Sequence, residues 1–237
     1  EMKRYNRRNE QLADAAERSA VIADWMGAVP YPKEALNDAW KRFLWHQFHD
    51  DLTGTSIWEA YTYSWNDEFL AQGQFCDVIL ASAGAAASVM DTRAKGSPVL
   101  VYNPAAYSRR SLVEATVDLP AEAEEVAVYA PDGKAVPAQI VARDGARATV
   151  LFAAAMEPVS YAVYDVRAGK AGKGKVLRAS GNTLENRVYK VTLDANGDIA
   201  SVIDKRNGRD LVEKGKAFRL AVLTPNVSNR YPAWEIH

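Results

Sequence analysis

Apolar positions recur every three or four residues up to about residue 90 and every second residue after it. Leu12, Ala15, Ala16, Ser19, Ala20 and Ala23 make a stripe of small residues, opposed by Arg7, Arg8, Glu10, Asp14, Glu17 and Arg18. This predicts a first helix over 6–28, stopped by Gly27 and Pro30, with a face that lets another helix approach closely. Leu36, Ala39, Trp40, Phe43, Leu44 and Gln47 keep the same period and predict a second helix, opened by Pro32 and running to about Asp50. A third helix is predicted from about Ser56 to Met90, on Ile57, Ala60, Tyr61, Ser64, Trp65, Phe69, Phe75, Val78, Ile79 and Ser82. Gly73 and Gly84 weaken that helix locally.

Asp91–Ser97 reads as a linker, because the period falls from near 3.6 to near 2 beyond it. Strands are predicted at Val99–Tyr102, Leu112–Leu119, Glu125–Tyr129, Ala135–Val141, Ala148–Ala154 and Tyr161–Val166. Asn103-Pro104, Pro131-Asp132-Gly133 and Asp144-Gly145 supply turns between them. A long strand over Thr183–Leu193 follows, then the hairpin turn Asn196-Gly197 and a return strand over Ile199–Asp204. Asn207-Gly208 repeats the device before Asp210–Val212 and Phe218–Leu223. The fold class expected is α+β and multidomain: a three-helix, bundle-like domain over 1–91, then an antiparallel β-sandwich over 98–237.

Composition excludes more than it selects. The chain has 237 residues, 48% of them hydrophobic and 25% charged, which is enough to bury a core. A net charge of −1 gives no electrostatic case for nucleic acid or an anionic membrane. No apolar run is long enough to span a bilayer, so a soluble protein is expected, in cytoplasm or periplasm. The single cysteine, Cys76, excludes an internal disulfide. The loop Ala168–Lys175 is basic and glycine-rich but lacks the Gly-Lys-[Ser/Thr] ending of a phosphate cradle, and reads as a solvated connection.

The chemistry concentrates between Trp40 and Ser56, which hold His46, His49, Asp50, Asp51 and a Thr-Gly-Thr-Ser turn. On a helix running to Asp50, His46, His49 and Asp50 share a face and can converge. One reading is a helix end with locally satisfied histidines. The other is a metal site using an imidazole and a carboxylate, most of whose ligands must come from outside this chain. Trp58, Tyr61, Tyr63 and Trp65 follow directly; such rings stack on sugar faces, but helical spacing favours bundle core.

Gln47-Phe48-His49-Asp50-Asp51-Leu52-Thr53-Gly54-Thr55-Ser56 resembles the His-Asp-x-x-x-Gly-[Thr/Ser]-[Ser/Ala] signature of the glycoside hydrolase family 38 α-mannosidases, and Trp40–Gln47 resembles their bacterial members. Tyr5–Glu10 resembles the start of that family's middle helical domain. Val99–Pro104 and the segments Leu184–Asn186 and Val202–Lys205 resemble its C-terminal β region. The resemblance implies an interior piece: middle domain, then a β region incomplete at its C-terminus. The N-terminal α/β domain, with the nucleophilic Asp and a His-x-Asp pair that binds zinc, is absent from this chain. By the same resemblance His49 is a zinc ligand, the metal being shared with that domain, and Asp50 binds substrate hydroxyls. Tyr231 and Trp234 are candidates for a substrate-approaching loop. The implied activity is retaining hydrolysis of terminal α-mannosidic bonds, through a covalent glycosyl-enzyme. The partners are the rest of the parent chain and a mannose-containing glycan, and the piece is expected to be inactive alone. Asp51 receives no role, and His46, one turn before His49, is read as packing, with support of a ligating His49 as the alternative. The competing function is a stand-alone carbohydrate-binding or interaction module.

Overall fold

The computed structural model describes residues 1–170, 172 and 177–219. Tyr231, Trp234, residues 220–223 of the strand expected at Phe218–Leu223 and much of the 168–175 loop lie outside those residues. By compactness the chain divides into two units, 1–172 and 173–237.

The first unit opens with three helices, α1 (Met2–Trp25), α2 (Lys33–Trp45) and α3 (Trp58–Val89). Their shared core is Ala13, Ala16 and Ala20 of α1, Leu36, Ala39 and Phe43 of α2, and Ala71, Phe75 and Val78 of α3. Alanines on α1 and α3 let the backbones approach, and the aromatic volume sits where α2 closes over them. There Phe75 meets Trp40 edge-on at 5.8 Å and Phe43 at 6.4 Å. Glu17, assigned to the solvated face of α1, accepts hydrogen bonds from Trp40 Nε1 (2.8 Å) and the Tyr31 hydroxyl, tying α1 to the start and middle of the α2 segment.

Seven strands follow in the same unit: β1 (Ser97–Asn103), β2 (Arg109–Asp118), β3 (Val126–Tyr129), β4 (Ala135–Val136), β5 (Ala138–Asp144), β6 (Arg147–Met156) and β7 (Ser160–Ala168). They form two antiparallel sheets, ordered β1-β7-β3-β4 and β2-β6-β5. Val101, Val128, Tyr164 and Val166 of the first pack against Val150, Phe152 and Ala154 of the second, giving the expected sandwich. One expected strand, Ala135–Val141, is two. Pro137 cannot donate to a ladder, so the chain changes sheets there, and Pro137 O accepts from Ala153 N at 3.1 Å. The linker is taut: Lys95 N and Gly96 N both donate to the Asp165 carboxylate, and a Cβ at Gly96 would run into Val166 O. Tyr102 Oη donates to Ala15 O at 3.0 Å, and Tyr161 Oη shares a 2.6 Å hydrogen bond with Ser19 Oγ, fastening α1 to the first sheet.

The described part of the second unit is one antiparallel sheet of β8 (Arg178–Ser180), β9 (Thr183–Glu185), β10 (Tyr189–Leu193), β11 (Ile199–Asp204) and β12 (Arg209–Asp210), in the order β12-β11-β10-β9-β8. The long strand expected over Thr183–Leu193 is a hairpin. Asn186 Oδ1 accepts from Val188 N and Tyr189 N, both at 2.7 Å, and its side chain thereby substitutes for ladder bonds and turns the chain.

Phe75 is fully buried among aromatic and aliphatic neighbours. Phe75→Ala is expected to lower stability by about 3–5 kcal/mol, read as a fall in the urea unfolding midpoint.

Candidate functional site

The second helix ends five residues earlier than its apolar period predicts, at Trp45 rather than Asp50. Gln47 N bonds back to Leu44 O and Phe48 N to Trp45 O, three residues away, so the last turn tightens and then stops. The cause is a side-chain bond. His46 Nδ1 lies 2.6 Å from Asp51 Oδ2, and both residues are buried. On a continuing helix positions five apart point about 140° away from each other, so this pair can meet only if the helix breaks. Ser64 Oγ of α3 donates to both Asp51 oxygens, at 2.7 and 2.9 Å. His46 Nε2 is 3.3 Å from Asp67, which also pairs with Arg42.

The expected convergence of His46, His49 and Asp50 on one face is therefore corrected. His46 points inward at 3% exposure, while the side chains of His49 and Asp50 are 76% and 43% exposed. Only His49 and Asp50 are brought together, with Nε2 3.3 Å from Oδ2. The turn that carries them is closed by hydrogen bonds to Asp50. Its carbonyl accepts from Thr55 N (3.0 Å), Ser56 N (2.9 Å) and Tyr61 Oη (3.1 Å). Its Oδ1 accepts from Thr55 Oγ1 at 2.9 Å. Thr53 Oγ1 donates to His49 O, and Gly54, at φ +92°, takes the left-handed backbone that the turn needs.

Asp51 is thus the residue that sequence reasoning missed. The one signal was its spacing from His46, which carries meaning only off a helix. Beneath the turn lies a second unanticipated feature, a polar seam between α1 and α3. Glu68, 1% exposed, accepts from Asn9 Nδ2 at 2.5 Å and Asn6 Nδ2 at 3.3 Å, and Asn9 Nδ2 also donates to Glu68 O at 2.8 Å. Burial pushes the Glu68 carboxyl above its ordinary value; the bonds from Asn9 and Asn6 and the nearby His46 oppose that rise, and Asp51 adds to it.

The aromatics after the motif are not bundle core. Trp58 is 75% exposed and Tyr63 is also exposed, as are Trp45, Phe48 and Ile57 flanking the turn. The buried line of α3 is Ser64, Glu68, Ala71, Phe75 and Val78, which leaves Trp58, Trp65 and Phe69 exposed on an adjacent face, where Phe69 meets Tyr5 of α1 at 4.6 Å. A hollow of about 250 Å³ lined by Met2, Leu52, Gly54, Tyr61 and Trp65 adjoins the turn, but neither His49 nor Asp50 lines it. Among the described residues no group of three or more His, Cys, Asp or Glu is placed to hold a metal. No helix among them is long and apolar enough to cross a membrane.

Residues 1–83 match the family model described as "Alpha mannosidase middle domain". The match falls on the three helices. The fold extends the likeness. An alpha-mannosidase from Enterococcus faecalis V583 superposes on 86% of this chain and 28% of its own, with a TM-score of 0.69 at 23% identity. A glycosyl hydrolase family 38 protein from Enterococcus faecalis superposes on 88% of this chain and 29% of its own, with a TM-score of 0.70 at 22% identity. The resemblance to glycoside hydrolase family 38 read from the residues is borne out. The chain spans under a third of the length of those structures. No curated protein matches it by sequence.

The raised Glu68 carboxyl has a consequence for the middle domain's stability. The folded form holds this proton more tightly than the unfolded form, so it binds more protons over the interval between the two values. The Glu68 contribution therefore declines as pH rises from its ordinary value through the raised folded one, and is level above that. Glu68→Gln is expected to flatten this decline, gaining more over wild type at pH 8 than at about pH 4.5 in urea midpoints taken across the series.

Proposed function

We propose that this chain forms one side of the active site of a metal-dependent retaining α-mannosidase, which hydrolyses terminal α-mannosidic bonds in mannose-containing glycans. The observation that carries the reading is the pair His49 Nε2 and Asp50 Oδ2, 3.3 Å apart, exposed, and set on a turn closed by backbone hydrogen bonds to the Asp50 and Asp51 carbonyls. An imidazole and a carboxylate fit zinc as ligand types but are two of about four donors. His49 is the zinc ligand of this chain. The remaining ligands and the carboxylate nucleophile belong to the catalytic α/β domain of the same protein. When bound, zinc supplies a Lewis acid that grips vicinal sugar hydroxyls.

Asp50 binds the substrate. Thr55 occupies its Oδ1, so Oδ2 is the oxygen turned toward the ligand side, where it accepts hydrogen bonds from hydroxyls of a terminal mannose. Those bonds orient the ring before attack. Tyr231 and Trp234 are proposed as further substrate-binding residues, since aromatic faces pack well on a pyranose. Support for an interface with a catalytic domain comes from the uncovered rim around the turn, where Trp45, Phe48, Ile57 and Trp58 expose apolar area of the kind that marks contact surfaces. The same exposed rings favour the second reading, a carbohydrate-binding module that acts without a metal.

The two readings part in one experiment. In the full-length protein, His49→Ala is expected to abolish tight zinc binding, seen by calorimetry, together with turnover of an aryl α-mannoside. Asp50→Asn is expected to leave zinc bound and to lower kcat/KM by roughly 10- to 100-fold, the loss of a charged hydrogen bond. The 237-residue chain alone is expected to hydrolyse nothing and to bind zinc weakly. Mannoside binding by this chain that survives both substitutions and a chelator would establish the module instead.

A further inference from the structure

We infer that Asp51, through its bond to His46, is a positioning residue for the His49–Asp50 turn; the inference rests on the reading that His49 and Asp50 serve the active site. Asp50 and Asp51 are consecutive, and their side chains leave the backbone on opposite sides. Asp51 goes inward, where its carboxylate takes His46 Nδ1 at 2.6 Å and Ser64 Oγ at 2.7 and 2.9 Å. Asp50 goes outward. The carbonyl between them is held by Thr55 N, Ser56 N and Tyr61 Oη. The peptide joining the two aspartates is therefore gripped from the core by a side chain and at its carbonyl by three donors, two in the turn and one on α3. With that peptide fixed and Oδ1 occupied by Thr55, Oδ2 is the oxygen presented beside His49.

This arrangement ties the site to two helices at once. His46 is the residue at which α2 ends, and Ser64 belongs to α3. Asp51 is the only residue of the turn to bond both through its side chain. An outward carboxylate on an exposed turn otherwise samples many rotamers, and a displacement near 1 Å at a reacting site costs about 100-fold in rate. The inward aspartate removes that freedom without touching the ligand.

The test uses two substitutions of similar size that keep different halves of the imidazole. In His46→Asn the amide nitrogen replaces Nδ1 and retains the bond to Asp51. In His46→Gln it replaces Nε2 and retains only the approach to Asp67. Hydrogen exchange at the Thr55 and Ser56 amides is measured in this chain, and zinc affinity and kcat/KM are measured in the full-length protein. His46→Asn is expected to stay close to wild type in all three. His46→Gln is expected to speed both amides and to weaken zinc by roughly 10- to 100-fold. Ser64→Ala, which removes the other donor to Asp51 and leaves His46 intact, is expected to move the same readouts in the same direction. Equal losses in the two His46 variants would overturn the inference, because they would follow from lost imidazole packing. No change in either would overturn it as well. Should the wild-type full-length protein bind no zinc, the function proposed for His49 fails, and the exchange rates still decide whether Asp51 positions the turn.

Discussion

The bond between His46 and Asp51 decides where the second helix stops, and much of the helical domain's surface follows from that. Two ionisable side chains this deeply buried are tolerated only when each is paired, and removing one partner of such a pair typically costs about 3–5 kcal/mol. Here the pairing can be made only off-helix. The apolar stripe of α2 would carry the helix on to Asp50; the buried pair overrides it. What results is a turn whose inward residues are a histidine and an aspartate, and whose outward residues are a histidine and an aspartate as well.

The polar seam behind the turn works on the same physical rule. Glu68 lies between α1 and α3 where a leucine would pack, and its burial raises its proton affinity. Asn6 and Asn9 satisfy both of its oxygens, so the register of α1 against α3 is set by hydrogen-bond geometry as well as by alanine packing. Buried polar groups give less stability than apolar ones of the same volume but tolerate fewer alternative packings. Asn6, Asn9, Glu68, Ser64, Asp51 and His46 stand in sequence from α1 to the exposed turn, with His46 and Asp51 both near enough to Glu68 to shift it. The end of the bundle that carries the proposed site is therefore held by a line of directional bonds. Farther along, Ala13, Ala16, Phe75 and Val78 pack the core, and Glu17 accepts from Trp40 and Tyr31.

In the proposed function this chain lies beside a catalytic domain rather than in place of one. That context accounts for the aromatic residues. Trp58 and Trp65 have helical spacing and large apolar surfaces, which is the pattern of core residues, yet both stay exposed. Periodicity reports that a face is apolar; it does not report what covers it.

Secondary-structure type, the antiparallel sandwich and the change at residues 91–97 were legible in the sequence because each rests on local periodicity and turn chemistry. So was the motif itself, since Thr53-Gly54-Thr55-Ser56 breaks a helix by composition. Three boundaries were not legible. Pro137 divides a strand between two sheets, Asn186 folds a strand into a hairpin, and His46 ends a helix early, and each depends on a partner that local pattern cannot name. For Asp50 and Asp51 the sequence determined only that two carboxylates are adjacent. Which one faces solvent and which one is buried was decided by tertiary structure, because Ser64, 13 residues away on another helix, and His46, on a helix that has ended, supply the donors that draw Asp51 inward.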